Sequence, residues 1–494
     1  MKRLPYNIYS PAQVRELDRR AIESFATPGY ELMKRAGAAI FSLIRTRWTE
    51  ATRIAILCGG GNNGGDGYVA ARLAHEAGLR VELIAIEPVA NLQGDAKLAA
   101  DDAIAAGIAT QPFSAGLTEH ADLIVDALFG IGLDREVTDI WREAIDVVNA
   151  ERVPVLAVDI PSGLHAEHGE VLWAAIKADV TLTFIGLKSG LMTGVGPDHS
   201  GELHFDDLMI PEGCYEDIVP TGRRIDYDGL SHLLTPRRAT SHKGDFGHLL
   251  VVGGDYGMAG AVRLAAEAGL RSGAGLVSVA TRREHCTELL AARPELMCYG
   301  VENADDLLPL LERATVVAIG PGLGRGDWGA ELLGRVLESS QPLVVDADAL
   351  NLLALDPTHR GNWIMTPHPG EAARLLCLNT EEVQTDRHHA IRELVHRYGG
   401  SAILKGAGTL TVTEDGMIAL CNEGNPGMAS GGMGDLLTGI AAALLAQGFR
   451  LADAARLATA IHARAGDLAA ASGERGLLAS DLFDYLPTLL NPTR

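Results

Sequence analysis

Apolar runs alternate with amphipathic stretches in both halves of the chain, and this alternation constrains the fold more than any other feature. From Arg53 the sequence reads RIAILCGG, then DGYVAARLAHEAG, then RVELIAI, and further apolar runs follow at ADLIVDALFG, VPVLAVDIPSG and ADVTLTFIG. Continuous apolar runs separated by helical segments are typical of a parallel sheet covered by helices on both faces. The first half therefore predicts a doubly wound α/β domain.

The alternation is interrupted between Pro211 and Pro236, where proline, glycine and mixed charge are typical of a linker. A second series then runs through FGHLLVVGG, GLVSVAT, TVVAIGPGLG, PLVVDADALNLL and SAILKGAGTLTVT. A chain of 494 residues also exceeds what one hydrophobic core usually serves. We therefore predict two doubly wound α/β domains, residues 1–220 and 221–494, with ligands at the carboxyl ends of the strands.

Composition excludes several classes of partner. The formal charge of −22 would repel nucleic acid and anionic membranes, so we expect neither as a partner. No apolar run approaches the roughly 18 residues that span a bilayer, and GIAAALLAQGF near the end reads as a buried helix. The six cysteines form no CxxC pair and lie mostly in apolar runs, which predicts buried thiols in a reducing cytoplasm.

The stretch CGGGNNGGDG, residues 58–67, has the GxGxxG spacing of a dinucleotide fingerprint. Its chemistry is unusual for a phosphate cradle, because Asp66 would compete with a phosphate for the positive end of the following helix. Asn62 and Asn63 add amide oxygens that such a cradle does not need. The alternative is a tight turn in which Asp66 caps the helix.

Two later strand ends carry further oxygen ligands. Asp126 lies in DLIVDALFG, ahead of the glycine loop that begins at Gly130, and Asp159 and Ser162 follow PVLAV. Asn63, Asp126 and Ser162 would surround one point at the sheet edge with hard ligands, which suits an alkali or alkaline-earth cation. Asp159 is then a candidate general acid or base; capping roles for single aspartates are the alternative.

In the second half, NPGMASGGMGD precedes a long apolar helix. Its glycines leave backbone N–H groups free to bind an anion, and Asp435 beside them could accept a hydroxyl proton during phosphoryl transfer.

KGAGT, Lys405 to Thr409, is a turn between two strands that either lines a nucleotide phosphate or is a solvated hairpin. In TPHPGE, His368 precedes Glu371 by three residues, and a buried structural histidine is the alternative there. Asp346 and Asp348 end another strand.

The motifs of the first half, CGGGNNGGDGYVAARL, DALFGIGLDREV and DIPSGL, closely resemble the YjeF-type N-terminal domain, a Rossmann-like NAD(P)HX epimerase. The resemblance implies that the substrate is a dinucleotide with a hydrated nicotinamide ring, that K+ is held by Asn63, Asp126 and Ser162, and that Asp159 moves protons while carbon 6 inverts. The implied substrate contacts are Asn62, Asn63, Gly64, Gly65, Asp66, Gly130, Ile131, Gly132, Leu133, Asp134, Arg135, Glu136 and Asp159.

The second half resembles the ribokinase-like kinases in its GGMGD run, but His368-Pro-Gly-Glu371 replaces their magnesium-binding Asn-x-x-Glu. SHKGDFGHLLVVGGDYGMAGA, GPGLG, DADALNLL, TPHPGE and KGAGT instead match the carbohydrate-kinase-like, ADP-dependent NAD(P)HX dehydratase. That resemblance implies Mg2+, ADP as co-substrate and Asp435 as base. The dinucleotide would face Ala261, Gly322, His368 and Asp435, and the adenine nucleotide would face Lys405, Gly406, Ala407, Gly408, Thr409 and Gly434.

Together the two resemblances predict a bifunctional isomerase and lyase that repairs hydrated nicotinamide cofactors, NADHX and NADPHX, and that forms a homo-oligomer in the cytoplasm. The alternatives are a vitamin-alcohol kinase with an accessory first domain, a non-catalytic first domain in an RNA-processing scaffold, and a plain dehydrogenase. The HPGE departure argues against the first alternative. The second alternative is disfavoured because the first half carries Asn63, Asp126, Asp159 and Ser162 and because the chain is acidic.

Overall fold

The computed structural model describes residues 4–492 except 115, 117, 119, 134, 414 and 415. It divides into two compact units, Met1–Arg223 and Arg224–Arg494. The segment predicted as a linker, Pro211 to Pro236, contains a strand, Gly222–Ile225, and a short helix, Tyr227–Leu230. The boundary between the two units therefore lies inside this segment, which also forms short regular elements.

The first unit is built from eight strands and six helices before the boundary strand. The strands are β1 (Asn7–Ile8), β2 (Arg53–Cys58), β3 (Arg80–Ala85), β4 (Thr110–Pro112), β5 (Leu123–Ala127), β6 (Val155–Val158), β7 (Val180–Phe184) and β8 (Glu202–Asp206). The helices are α1 (Pro11–Glu23), α2 (Gly29–Arg47), α3 (Asn62–Glu76), α4 (Gly94–Ala105), α5 (Asp139–Ala150) and α6 (Pro197–Ser200).

Seven of these strands form a parallel sheet in the order β4-β3-β2-β5-β6-β7-β8. Strands β2, β5, β6 and β7 are almost wholly buried, as their continuous apolar runs predict. The strand order reverses direction between β2 and β5, and ligands of doubly wound sheets bind outside the carboxyl ends at such a point. The predicted doubly wound fold is confirmed for this unit.

The second unit begins with the boundary strand. The strands are β9 (Gly222–Ile225), β10 (His248–Val252), β11 (Leu276–Thr281), β12 (Met297–Gly300), β13 (Val316–Ile319), β14 (Leu343–Val345), β15 (Trp363–Met365), β16 (Ser401–Leu404), β17 (Thr409–Val412) and β18 (Ile418–Cys421). The helices are α7 (Tyr227–Leu230), α8 (Ala259–Arg271), α9 (Cys286–Ala292), α10 (Leu308–Leu311), α11 (Asp327–Leu337), α12 (Ala347–Leu353), α13 (Pro369–Leu376), α14 (Thr380–Thr385), α15 (Arg387–Tyr398), α16 (Met433–Ala446), α17 (Leu451–Ala469) and α18 (Leu486–Leu489).

Its sheet has the order β18-β17-β16-β15-β14-β13-β10-β11-β12. Strands β10 to β16 pair in parallel, whereas β16, β17 and β18 are antiparallel. The antiparallel edge arises because KGAGT is short enough to join β16 to β17 only as a hairpin, whereas a parallel crossover needs about a dozen residues or more. Helix α16 is buried from Leu436 to Leu445 and packs against α8, as its apolar sequence predicts.

The structure bears on two predictions made from composition, which concern membrane-spanning helices and the burial of the cysteine thiols. Within the described residues, no helix is both long and apolar enough to cross a membrane. All six cysteines are free, and Cys58, Cys214 and Cys421 are buried. The prediction of buried thiols is wrong for Cys377, which is exposed at the left-handed C-cap of α13, where the helix end faces solvent.

Candidate active sites

A cavity of about 680 Å3 opens at the carboxyl edge of the first sheet. It is walled by one face of α1, the start of α3, the loop after β5 and Asp159 after β6. Nine of the predicted contact residues line this cavity. The nine are Asn62, Asn63, Asp66, Gly130, Ile131, Gly132, Leu133, Arg135 and Asp159.

The remaining predicted contacts lie elsewhere. Gly64 and Gly65 line no part of this cavity: an added Cβ at Gly64 would overlap the Gly59 carbonyl, and one at Gly65 would overlap the Met33 side chain. Their role in the structure is close packing beneath the loop. Glu136 is exposed and outside the lining, and Asp134 lies outside the described residues.

The three predicted cation ligands lie at the start of α3, near the end of β5 and in the loop after β6. Asn63, Asp126 and Ser162 are all buried, with 8, 1 and 0% of their surfaces exposed. The Ser162 hydroxyl donates to Asp126 Oδ1 at 2.6 Å and accepts from the Phe129 N–H at 2.8 Å, while the Asn63 amide donates to the Phe129 carbonyl at 3.0 Å. Asn63 Oδ1 is buried and has no hydrogen-bond partner among the residues that the structure describes. A buried amide oxygen without a partner is costly unless a cation or water completes it.

Asp159 is held by a lysine that the motif analysis did not single out. Lys188, fully buried after β7, donates through Nζ to Asp159 Oδ1, to the Thr183 hydroxyl at 3.0 Å and to the Phe184 carbonyl at 2.9 Å. The Thr183 hydroxyl and the Phe184 N–H also donate to Oδ1, at 3.2 and 3.1 Å. The three donors to Asp159 all use Oδ1. Asp159 also adopts a left-handed φ of 65°, a strain that clusters at functional sites.

Asp66 does not cap helix α3. The N-cap is Gly61, with no side-chain cap, and Asp66 lies one turn further along with its side chain in the cavity. Burial first, and then the neighbouring carboxylates of Asp159 and Asp18, raise the pKa of Asp66 well above its ordinary value. The capping alternative is therefore wrong, because the N-cap position is held by Gly61 and Asp66 lies within the helix.

The second unit gathers its charged residues around one lysine. Lys405 Nζ donates to Asp346 Oδ1 at 2.9 Å and lies 3.9 Å from Glu371 Oε2. The Thr438 hydroxyl donates to the other oxygen of Asp346 at 2.8 Å. Burial opposes the charge on Lys405, but Asp346 and Glu371 outweigh it and raise the pKa of Lys405. The ion pair lies at the carboxyl ends of β14 and β16, where the sequence predicts ligand binding.

Asp435 lies beside this pair in the first turn of α16. The helix starts at Gly432, which has a left-handed φ of 91°, and an added Cβ at Gly434 would lie 3.1 Å from Lys405 Nζ. Burial, and then the charge of Asp346, raise the pKa of Asp435 to about 7. A carboxylate that titrates near neutrality beside a glycine-rich helix start is suited to general base chemistry on a phosphorylated substrate.

His368 is the N-cap of α13 and not a buried structural histidine. Its Nδ1 accepts from the Gly370 N–H at 3.0 Å, and the Glu371 carboxylate accepts from the His368 N–H at 2.8 Å. Its side chain is 51% exposed. The structural alternative is therefore wrong, because proline at the first position of α13 makes this segment a helix start rather than a turn in the core.

Two further predicted residues lie close together after β13 and in the first turn of α8. Gly322 has a left-handed φ of 57°, and an added Cβ there would lie 3.3 Å from the Ala261 Cβ. The KGAGT turn, in which Gly406 and Ala407 are exposed, is supported from below by the buried Arg387. The Arg387 guanidinium donates to the carbonyls of Leu404 and Lys405 at 3.3 and 3.2 Å. The turn is thus held in place and is not a free solvated hairpin.

Comparison with known proteins decides the family. Residues 29–190 match the model described as YjeF-related protein N-terminus, and residues 249–488 match the model described as NAD(P)H-hydrate dehydratase. The bifunctional NAD(P)H-hydrate repair enzyme Nnr of Coxiella burnetii is 50% identical over 98% of this chain and 99% of its own length. The chain belongs to the family of bifunctional NAD(P)H-hydrate repair enzymes. The enzyme of the same name from Escherichia coli is 47% identical over 99% of this chain and 95% of its own.

A solved structure supports the fold of the second half of this repair enzyme. A ribokinase-like superfamily protein from Enterococcus faecalis is 31% identical, covers 55% of this chain and 96% of its own, and has a TM-score of 0.51. The ribokinase-like prediction is confirmed. The plain-dehydrogenase alternative is wrong, because the fingerprint glycines belong to a repair-enzyme domain.

Two residues of the first site were missed by sequence reasoning. Lys188 was detectable, since a lysine inside the apolar run FIGLKSGLM must find a buried partner. Asp18 lines the cavity from α1, a helix outside the matched residues 29–190, and no motif marks it. Its position depends on packing between distant segments, which the sequence pattern does not encode.

Proposed function

We propose that the first unit interconverts the R and S epimers of NADHX and NADPHX at carbon 6, and that the second unit dehydrates the S epimer to NAD(P)H with consumption of ADP. The observation that carries the proposal is that each unit holds a carboxyl group beside a lysine: Asp159 with the buried Lys188, and Asp435 with the half-buried Lys405. An epimerase on the same chain would convert the epimer that the stereospecific dehydratase cannot use into the epimer that it can use.

In the epimerase site, Asp159 accepts the proton of the carbon 6 hydroxyl. Lys188 donates to Oδ1 and holds the carboxyl group in position, so Oδ2 is the oxygen that meets the substrate. The glycine loop Gly130 to Leu133 and Arg135 line the same cavity and position the dinucleotide. The strained backbone of Asp159 fixes the direction of its side chain.

The residues of the predicted cation site fit K+. Three buried oxygen-bearing side chains from α3, β5 and the loop after β6 converge there, and within the described part of the chain Asn63 Oδ1 has no hydrogen-bond partner. Bound K+ would supply a positive charge that ties Asn63, Asp126 and Ser162 together under the substrate loop. Mutual hydrogen bonds of Ser162 and Asp126 hold the set in position.

In the dehydratase site, Asp435 takes the proton of the substrate hydroxyl while that oxygen receives the terminal phosphoryl group of ADP and AMP leaves. Phosphate then departs with its bonding electron pair as carbon 5 loses a proton, which restores the ring double bond. The N–H groups at the start of α16 face the transferred group, and Lys405 balances its charge. Ala261, Gly322 and His368 would contact the dinucleotide.

The adenine nucleotide would lie along Lys405, Gly406, Ala407, Gly408, Thr409 and Gly434. An added side chain at Gly434 would crowd Lys405 Nζ, which supports close approach of a ligand there. Asp348, Glu371 and Asp435 are hard oxygen donors suited to Mg2+ together with nucleotide phosphates, and Mg2+ would neutralise phosphate charge. A cytoplasmic location accords with the six free cysteines. Light scattering would test the expected homo-oligomer.

The deciding experiment incubates the full chain with mixed hydrate epimers and ADP and follows the absorbance of dihydronicotinamide. The wild type should recover the whole signal. Asp159→Ala should stop at a plateau set by the S epimer, and Asp435→Asn should give no recovery. A wild type that stops at the plateau would contradict the epimerase, and absence of any recovery would contradict the dehydratase. A vitamin-alcohol kinase would instead consume nucleotide on a pyrimidine alcohol.

A further inference from the structure

Helix α1 presents a regular face to the cavity of the first unit. Val14, Asp18 and Ile22 all line the cavity, and their spacing of four residues places them on one side of the helix. Apolar neighbours on α1, Leu17 and Ala21, are buried. Asp18 is therefore a single carboxyl group set between apolar residues in the wall of the substrate cavity.

The charged neighbours of Asp18 come from several elements. Asp66 lies on α3, Asp159 follows β6 and Lys188 follows β7, while Arg15 and Arg135 also line the cavity. Tyr215, after β8, is a further titratable neighbour. Burial, and then the charge of Asp159, raise the pKa of Asp18 to about 6, and Lys188 opposes this rise. Asp18 can therefore both give and take a proton near neutral pH.

Inversion at a carbon that bears both a hydroxyl group and a ring nitrogen requires two proton transfers. When the carbon–nitrogen bond breaks, the hydroxyl loses a proton and the nitrogen gains one. One base can serve the oxygen, but the nitrogen lies on the other side of the reacting carbon and needs its own group within reach. Asp159 is committed to the oxygen in the proposed function.

We propose that Asp18 is the second proton-transfer residue of the epimerase and serves the ring nitrogen. This inference rests on the proposed epimerase function. Asp159 takes the proton from the carbon 6 hydroxyl, a C=O bond forms at carbon 6, and the electrons of the carbon–nitrogen bond move to the nitrogen, which takes a proton from Asp18. The open aldehyde rotates about the carbon 5–carbon 6 bond. Ring closure reverses each transfer, so atoms and electrons balance.

The test compares Asp18→Asn with Glu23→Gln in the full chain. Glu23 lies on the same helix, is exposed and is outside the cavity lining, so its loss is a matched control. Conversion of the R to the S epimer is measured as kcat and KM from pH 5 to pH 9. Dehydration of the S epimer with ADP is measured on the same preparations to report an intact fold.

Asp18→Asn should lower the epimerase kcat by about 100-fold or more, leave KM within about threefold and remove one limb of the pH profile. Glu23→Gln should match the wild type. Three results would overturn the assignment: a kcat of Asp18→Asn within threefold of wild type, a reduced kcat with both limbs retained, or loss of the limb in Asp66→Asn instead. Absence of epimerisation in the wild type would refute the proposed function itself, and is thus distinguished from failure of the role of Asp18.

Discussion

Replacing Asp435 by asparagine should increase the stability of the second unit while it abolishes dehydration. Asp435 has a folded pKa of about 7 against an ordinary value of 3.8. As pH rises from 4 to 7, the unfolded chain releases this proton and the folded chain retains it, so stability falls across that range. Above pH 7 the whole of this loss of stability is present, and replacing Asp435 by asparagine removes it.

The magnitude follows from the shift. A difference of one unit between the folded and the unfolded pKa corresponds to about 1.36 kcal/mol in the free energy of unfolding. The rise in the pKa of Asp435 from 3.8 to about 7 therefore lowers the free energy of unfolding by about 4 kcal/mol as an upper value. Because Asp435 is partly open to solvent, we expect a gain of about 2–4 kcal/mol at pH 8. At pH 5 most of the loss has not developed, so the gain should shrink by about 1–3 kcal/mol.

Hydrogen exchange measured by mass spectrometry on the full chain reports the opening free energy of α16. Asp327→Asn is the control, since Asp327 is an exposed carboxylate in the first turn of α11 and should give a loss of about 0.3–1 kcal/mol. The same Asp435→Asn protein should show a dehydratase kcat reduced by about 100-fold or more. No gain in stability at pH 8, or an equal gain at pH 5, would refute the argument that burial raises this pKa.

Three further variants test the two sites. Lys188→Met should lower the epimerase kcat, because Asp159 Oδ1 loses its buried donor and the carboxyl group is no longer held in position; an unchanged kcat contradicts this role of the ion pair. Asn63→Ala should raise the K+ concentration for half-maximal epimerase activity by about 10-fold or more, measured by titration against a Na+ background. Gly434→Ala should raise the KM for ADP because the added Cβ crowds Lys405, with R-epimer conversion unchanged as the internal control.

Much of the fold followed from sequence because its signals are local. Continuous apolar runs identify buried strands of a parallel sheet wherever they occur, and the turn after each run marks the binding edge. The edge strands β4 and β8 were missed because only part of each is buried, which gives them no continuous apolar run. The antiparallel strand β18 was missed for a different reason: it follows a hairpin and breaks the alternation with helices.

The site residues divide in the same way. Asp159, Asp435 and the cation ligands lie directly after strands or at a helix start, so strand ends alone point to them. Asp18 lies on a helix before the first central strand, and only tertiary packing brings it to the cavity. The charge balance around Lys405 was equally hidden, because β14 and β16 are joined by long connections that the sequence pattern does not align.

The exposed thiol at the end of α13 makes the second unit open to site-specific labelling. Helix α13 begins at the His368 cap in the proposed site and ends at Cys377, which is exposed, whereas the other five cysteines are buried or half-buried. An eight-residue helix is about 12 Å long, so a fluorophore on Cys377 would lie near the site without lining it. A maleimide dye should therefore report nucleotide binding optically in the otherwise unaltered chain.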